Sequence, residues 1–127
     1  MKAKRILIID DDRSMVDLIA AITMHQGHQP TTSYDIENGL FGFSKGLYDL
    51  VITDIFMKGV GGIEGINQIR NIDKDVPIIA VSGGYNNISP EKTVLAAQKI
   101  GANFGLAKPF EPEDLIKVIN QALETGA

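Results

Sequence analysis

The sequence predicts an α/β domain made of βα repeats on a parallel sheet. Three observations carry the prediction. Short apolar runs, among them Ile6-Leu7-Ile8-Ile9, Leu50-Val51-Ile52 and Ile78-Ile79-Ala80-Val81, look buried. They alternate with longer segments whose apolar residues recur at helical spacing. Capping residues, prolines and glycines punctuate the joins between the two kinds of segment.

In chain order, strands are expected at 5–10, 29–32, 50–53, 78–81 and 104–107, and helices at 13–26, 36–45, 63–72, 90–100 and 112–124. The second strand has the weakest apolar signal. In the first helix Met15, Leu18, Ile19 and Ile22 are expected to face the core, with Val16, Ala20 and Met24 as a second, outward line. Gly27 stands where a left-handed residue ends that helix. Gly39, Gly42 and Gly46 fall in or beside the second helix, and an interior glycine costs about 1 kcal/mol against alanine. That helix should be the softest element. Ile63, Ile66, Ile69 and Ile72 form the core stripe of the third. Ser89-Pro90-Glu91 reads as an N-cap, a first-turn proline and an acid at the positive helix end, and Gly101 closes the same helix. Glu111-Pro112-Glu113-Asp114 opens the last helix, whose apolar stripe is Leu115, Ile116, Val118, Ile119, Ala122 and Leu123. Thr125-Gly126-Ala127 reads as a frayed end.

The chain has 127 residues, enough for one domain with a single core. A single unit over 1–127, with its core at 4–123 and no effector domain in this chain, is therefore expected. Hydrophobic residues make up 44% and charged residues 22%, ordinary values for a soluble globular protein. No apolar run approaches a bilayer span, and Met1-Lys2-Ala3-Lys4-Arg5 leads straight into a strand, so neither a membrane helix nor a secretory leader is expected. The cytoplasm is the expected compartment. Cysteine is absent, which excludes disulfides and thiolate metal sites. Net charge is −4, and the one basic cluster (Lys2, Lys4, Arg5) reads as a solvated flank, so direct nucleic-acid binding is not expected.

Polar residues stand where the apolar runs end. Asp10-Asp11-Asp12 follows the first, Asp54 the third, Ser82 the fourth and Lys108-Pro109 the fifth. In an open parallel sheet, ligands bind outside the carboxyl ends of the strands, at the point where strand order reverses. These groups would then meet in one site. Asp10, Asp11 and Asp54 repel one another, and a hard divalent cation such as Mg²⁺ or Mn²⁺ relieves that repulsion. A cation so held can neutralise a phosphoryl group while one carboxylate attacks phosphorus. Lys108 offers a second positive charge, Ser82 a hydroxyl, and Gly83 a backbone that can approach closely. Asp12 is assigned a simpler role, as cap of the first helix.

The segments Ile6-Leu7-Ile8-Ile9-Asp10-Asp11-Asp12, Asp49-Leu50-Val51-Ile52-Thr53-Asp54, Pro77-Ile78-Ile79-Ala80-Val81-Ser82-Gly83 and Gly101-Ala102 through Lys108-Pro109-Phe110 together resemble a response-regulator receiver domain, chemotaxis-regulator-like, of two-component signalling. The resemblance spans residues 4–123. It implies a flavodoxin-like, doubly wound (βα)5 sandwich with parallel strand order 2-1-3-4-5. It implies that Asp54 accepts a phosphoryl group from a sensor histidine kinase or a histidine phosphotransfer protein. Mg²⁺ would be held by Asp11, Asp54 and the Phe56 carbonyl, with Asp10 reaching it through water. Ser82 and Lys108 would contact the phosphoryl group, and the Lys108–Pro109 bond would be cis. Such a domain is a signalling switch that assists its own phosphorylation and dephosphorylation, not a turnover enzyme. Output would pass to a downstream protein partner or through a homodimer formed on the fourth helix, fifth strand and fifth helix.

The chain departs from the family pattern in four places. Lys58 stands where proline usually follows Met57, and Gly61 where Asp commonly precedes Gly62. Phe56 and Gly84 lack a polar side chain to orient a hydrolytic water, so self-dephosphorylation is expected to be slow. Gly105 occupies the usual switch-aromatic position; Phe104 is adjacent but should face the other way. The approach Gly83-Gly84-Tyr85-Asn86-Asn87-Ile88 is long, and Tyr85 in it is either a surface tyrosine, the simpler reading, or a substitute for the moving switch aromatic. His25 and His28 are also expected at the surface.

Two rival functions are open to the sequence. A receiver-fold interaction module that is never phosphorylated would lack Mg²⁺ binding. A haloacid-dehalogenase-type phosphatase would use Asp10 as nucleophile and Asp12 as acid/base, but it needs a later acidic pair where this chain has Ser82-Gly83-Gly84. A phosphoryl label on Asp10 rather than Asp54 would favour the phosphatase. The outward line on the first helix is either a docking stripe for a kinase's helical hairpin or surplus core hydrophobicity.

Overall fold

The central sheet consists of five parallel strands: β1 (Arg5–Ile9), β2 (Gln29–Ser33), β3 (Leu50–Asp54), β4 (Ile78–Ser82) and β5 (Phe104–Ala107). Their order is β2-β1-β3-β4-β5, the doubly wound arrangement expected. The structure, a computed structural model, describes residues 3–55, 57, 61–83, 89–99 and 101–125. Between the strands run α1 (Arg13–His25), α2 (Ile36–Gly39), α3 (Gly62–Ile72) and α4 (Pro90–Lys99), with α5 (Pro112–Thr125) last.

Strand pleat explains why the central runs are apolar throughout. Leu7, Ile9, Val51, Ile78 and Ala80 point to one face, where Ile36, Ile66 and Ile69 cover them. Ile6, Ile8, Leu50, Ile52, Ile79 and Val81 point to the other, under Val16 and Ile19 of α1 and Leu115 and Ile119 of α5. Both faces are buried, so no polar alternation survives on β3 or β4. Edge strand β2 has a neighbour on one side only and reads mostly exposed, which is why its apolar signal is weak.

Several predicted boundaries are set by the expected chemistry. The Asp12 carboxylate accepts the N–H groups of Ser14 (3.0 Å) and Met15 (3.3 Å), capping α1. Gly27 closes it at φ +87°. The Ser89 hydroxyl accepts the Lys92 N–H at the start of α4, and Gly101 follows that helix at φ +132°. At α5, Asp114 reaches back to the Glu111 N–H at 3.0 Å and supplies the cap that glutamate lacks.

Four expectations need correction. α2 is a single turn and stops at Gly39, not at residue 45. Gly42 (φ +74°) and Gly46 (φ +81°) adopt left-handed backbone there, which an α-helix cannot include. On α1 the buried line is Val16, Ile19 and Thr23, whereas Leu18 is exposed. The Thr23 hydroxyl can be buried because it donates to the Ala20 carbonyl at 2.8 Å. On α3 only Ile66 and Ile69 are buried, joined by Gly62 and Gly65; Ile63 and Ile72 lie exposed at its ends. His28 is buried rather than superficial.

Candidate functional site

β1 and β3 are neighbours, and the chain winds outward from them in opposite directions. Their carboxyl ends are thus the switch point of the sheet. Ile9 pairs with Thr53, and Asp54 with Val81, so the residues after these rungs share one rim. The ladder continues past the strands: the Asp10 N–H donates to the Ser33 carbonyl, and the Lys108 N–H to the Ser82 carbonyl at 2.7 Å.

The rim gathers the predicted acids. Asp10, Asp11 and Asp54 each offer a carboxylate oxygen, and these oxygens lie within 4.8 Å of one another. Asp10 (1% exposed) and Asp54 (6%) are buried, and Asp11 faces solvent. The Lys108 ammonium lies 2.9 Å from Asp10 and 3.7 Å from Asp54. Asp10 is doubly engaged, because its other oxygen accepts the Asp12 N–H at 2.9 Å. Burial by itself would push the Lys108 pKa down. The Asp10 hydrogen bond and the charges of Asp54, Asp10 and Asp12 outweigh it and hold the pKa above its ordinary value. These neighbours favour the charged form of Lys108.

Ser82 is fully buried at the end of β4. Gly83 lies beside the Lys108 stem, where an added Cβ would sit 4.0 Å from Lys108 Cδ. The Lys108–Pro109 peptide bond is cis, as expected. Phe56, Gly84 and Tyr85 lie outside the described residues. Gly105 pairs with Ala80, while Phe104 packs on the α1/α5 side of the sheet. Pleat alternation thus keeps Phe104 from standing in for an aromatic at 105.

One residue of the site had no clear signal in the sequence. Gly62 begins α3 and donates its N–H to the Ile55 carbonyl at 2.9 Å, locking the helix against the end of β3. An added Cβ there would lie 2.0 Å from the Asp54 carbonyl oxygen. A glycine pair before an apolar helix and the family pattern with glycine at 62 were hints, but neither shows this contact with Asp54.

Because Asp10 is almost wholly enclosed, removing its cation should be costly. Lys108→Met is expected to lose about 3 kcal/mol of stability without divalent cation, the usual consequence of stranding one partner of a buried pair. Urea titration of Lys108→Met, Asp10→Asn and the double variant measures it. Strictly additive losses would show that the pair is not coupled.

Comparisons with known proteins identify the family and the fold. The family profile described as "Response regulator receiver domain" matches residues 6–120, and the chain belongs to that family. It is 32% identical over 125 residues to the nitrogen assimilation regulatory protein NtrX of Azorhizobium caulinodans, covering 97% of this chain and 27% of that protein. It is 29% identical to the uncharacterized transcriptional regulatory protein YkoG of Bacillus subtilis, covering 97% of this chain and 52% of YkoG. The chain thus spans about half or less of the length of these relatives. Among solved structures, NtrX of Brucella abortus in complex with ADP superimposes with a TM-score of 0.87 at 31% identity, over 98% of this chain and 28% of that one. A CheY-like receiver domain protein from Methanospirillum hungatei matches with a TM-score of 0.85 at 27% identity, over 98% and 97% of the two chains. The fold and family are those of a phosphoacceptor signalling module, and nothing favours a phosphatase or an unphosphorylated binding module.

Proposed function

We propose that Asp54 is the phosphoacceptor of this receiver, with a histidine kinase or histidine phosphotransfer protein as donor. The observation that carries the reading is the meeting of its carboxylate with Asp10, Asp11 and Lys108 at the switch point of the sheet. An Asp54 oxygen attacks the phosphorus of a phosphohistidine. The O–P bond forms as the P–N bond breaks, and the imidazole leaves. The Lys108 ammonium takes phosphoryl oxygens, and the Ser82 hydroxyl and the Gly83 N–H supply further donors.

The acidic set fits Mg²⁺ or Mn²⁺, since it offers hard oxygens at close spacing. Asp11, Asp54 and the Phe56 carbonyl would hold the ion. An indirect role for Asp10, through water, is supported by the prior engagement of both its oxygens. When bound, the ion supplies positive charge against the phosphoryl group. Self-dephosphorylation is slow in this reading, because Phe56 and Gly84 carry no polar side chain. A phosphoryl lifetime as short as that of fast chemotaxis-type receivers would contradict it.

Residues 1–127 act as one receiver unit in the cytoplasm, without direct nucleic-acid contact. Its output passes to a protein partner or through a homodimer on α4, β5 and α5. Among the described residues no helix is long and apolar enough to cross a membrane.

Acetyl phosphate with Mg²⁺ should add one phosphoryl group, mapped by peptide mass spectrometry to Asp54. Asp54→Asn and chelation should each abolish it. Label on Asp10 would support the phosphatase mechanism instead, and no label at all would support a binding module.

A further inference from the structure

Strand β2 is one of the two edges of the sheet. It pairs with β1 alone, and Gln29, Thr31 and Thr32 are exposed. Two buried polar residues mark its ends: Ser33 at the carboxyl end and His28 (5% exposed) just before the amino end. His28 Nδ1 accepts the backbone N–H of Lys4 at 3.2 Å. The Lys4 carbonyl in turn accepts the Gln29 N–H at 2.8 Å, so the ring supplies a rung that extends the β1–β2 ladder.

An imidazole that accepts at Nδ1 carries its proton on Nε2. Nε2 is enclosed, with no hydrogen-bond partner among the described residues. A second proton would go to Nδ1. There it abolishes the acceptor, sets one donor against the Lys4 N–H, and leaves a cation inside the protein. The surroundings do little to stabilise that cation. Lys4, ahead of β1, opposes it; Asp49, ahead of β3, favours it; and α1 contributes the Thr23 carbonyl, already engaged by the His28 N–H at 3.1 Å. His25, at the end of α1, is exposed.

We propose that His28 is a pH-sensitive anchor of the edge strand, whose protonation releases the amino end of β2 from β1. Burial first, and Lys4 second, depress the ring's folded pKa below 6.5. The anchor is therefore intact above that pH and is lost as pH falls from 6.5 through the folded value. The phosphoacceptor rim is at the far end of the same strands, so this device is separate from the reading above.

Amide hydrogen exchange, corrected for intrinsic rates, tests it at pH 7.5 and 5.5, values chosen about one pKa unit either side of an ordinary histidine. Protection at 28, 29, 31, 32 and 4–6 should fall in the wild type, by up to about tenfold, the ceiling for one proton taken up over one pH unit below 6.5. His28→Asn keeps an acceptor near Nδ1 but does not titrate, so its protection should be flat, while His25→Asn should behave like wild type. Flat wild-type protection, or an equal fall in His28→Asn, overturns the proposal. Should His28→Asn fail to fold, NMR titration of the wild-type His28 ring decides: titration below 6.5 supports the anchor, and titration at or above 6.5 refutes it.

Discussion

Gly62→Ala is expected to lose about 3 kcal/mol of stability, the upper end of the usual cost of overpacking. The added methyl would stand 2.0 Å from the Asp54 carbonyl oxygen and 2.6 Å from Ile55 Cα. Both are backbone atoms of a central, buried strand end, so neither can step aside as a side chain would. The first turn of α3 must lift away, and the Gly62 N–H bond to Ile55 goes with it. Because the clash falls on Asp54 itself, phosphorylation by acetyl phosphate should slow as well. Gly61→Ala is the matched control. Among the described residues its methyl would meet nothing closer than the Ile55 carbonyl at 3.9 Å, and its extended backbone (φ −72°, ψ 161°) suits any residue. That change should cost less than about 1 kcal/mol, the loss of glycine at an N-cap. Equal urea midpoints for the two variants would refute the close-approach argument.

Asp73→Ala should be of similar size, for a different reason. The Asp73 carboxylate is buried and accepts three backbone N–H groups: Gly46 at 3.1 Å, Asp75 at 3.0 Å and Val76 at 3.1 Å. It thereby ties the α3–β4 turn to the glycine-rich segment after α2. Truncation orphans those donors, and about 3 kcal/mol is expected for the set, since bonds to charged groups are the stronger kind. Burial on its own would raise the Asp73 pKa. The three N–H donors and the nearby Lys45 charge outweigh it and hold the pKa below 3.8. The sign follows: this stability is present above pH 3.8 and is lost as pH falls through the folded value. Asp73→Asn should thus flatten the acid limb of a stability–pH curve while lowering the neutral plateau. An acid limb as steep as the wild type's would show that Asp73 contributes no proton linkage.

Arg70 closes the same end of the molecule. Its guanidinium donates to the Gly101 carbonyl (2.9 Å), the Val76 carbonyl (2.6 Å) and Asn103 Oδ1 (2.8 Å). Burial is the main cause that lowers its pKa, opposed by the charges of Asp73 and Asp75. Arginine suits this place because its planar fork reaches several fixed acceptors at once.

Much of the molecule was legible from local pattern. Runs such as Ile6 to Ile9 and Ile78 to Val81 mark buried strands, because a strand covered on both faces needs apolar side chains at every position. Asp12, Gly27, Ser89 and Gly101 bound helices through bonds and dihedrals that span at most a few residues. Once such elements are known to alternate, the sheet's right-handed crossovers place Asp10, Asp54, Ser82 and Lys108 on one rim. What stayed hidden depends on partners remote in the chain. Asp73 meets Gly46 across 27 positions, and His28 meets Lys4 across 24. The buried line of α1 also shifted, to Val16, Ile19 and Thr23, because a helix with apolar residues on several sides turns whichever of them its neighbours cover. Composition and period determined the elements and which polar residues end the strands. Only packing decided where α2 stops, which histidine is enclosed and why residue 62 can carry no side chain, since each is settled by contact between segments that no local pattern records.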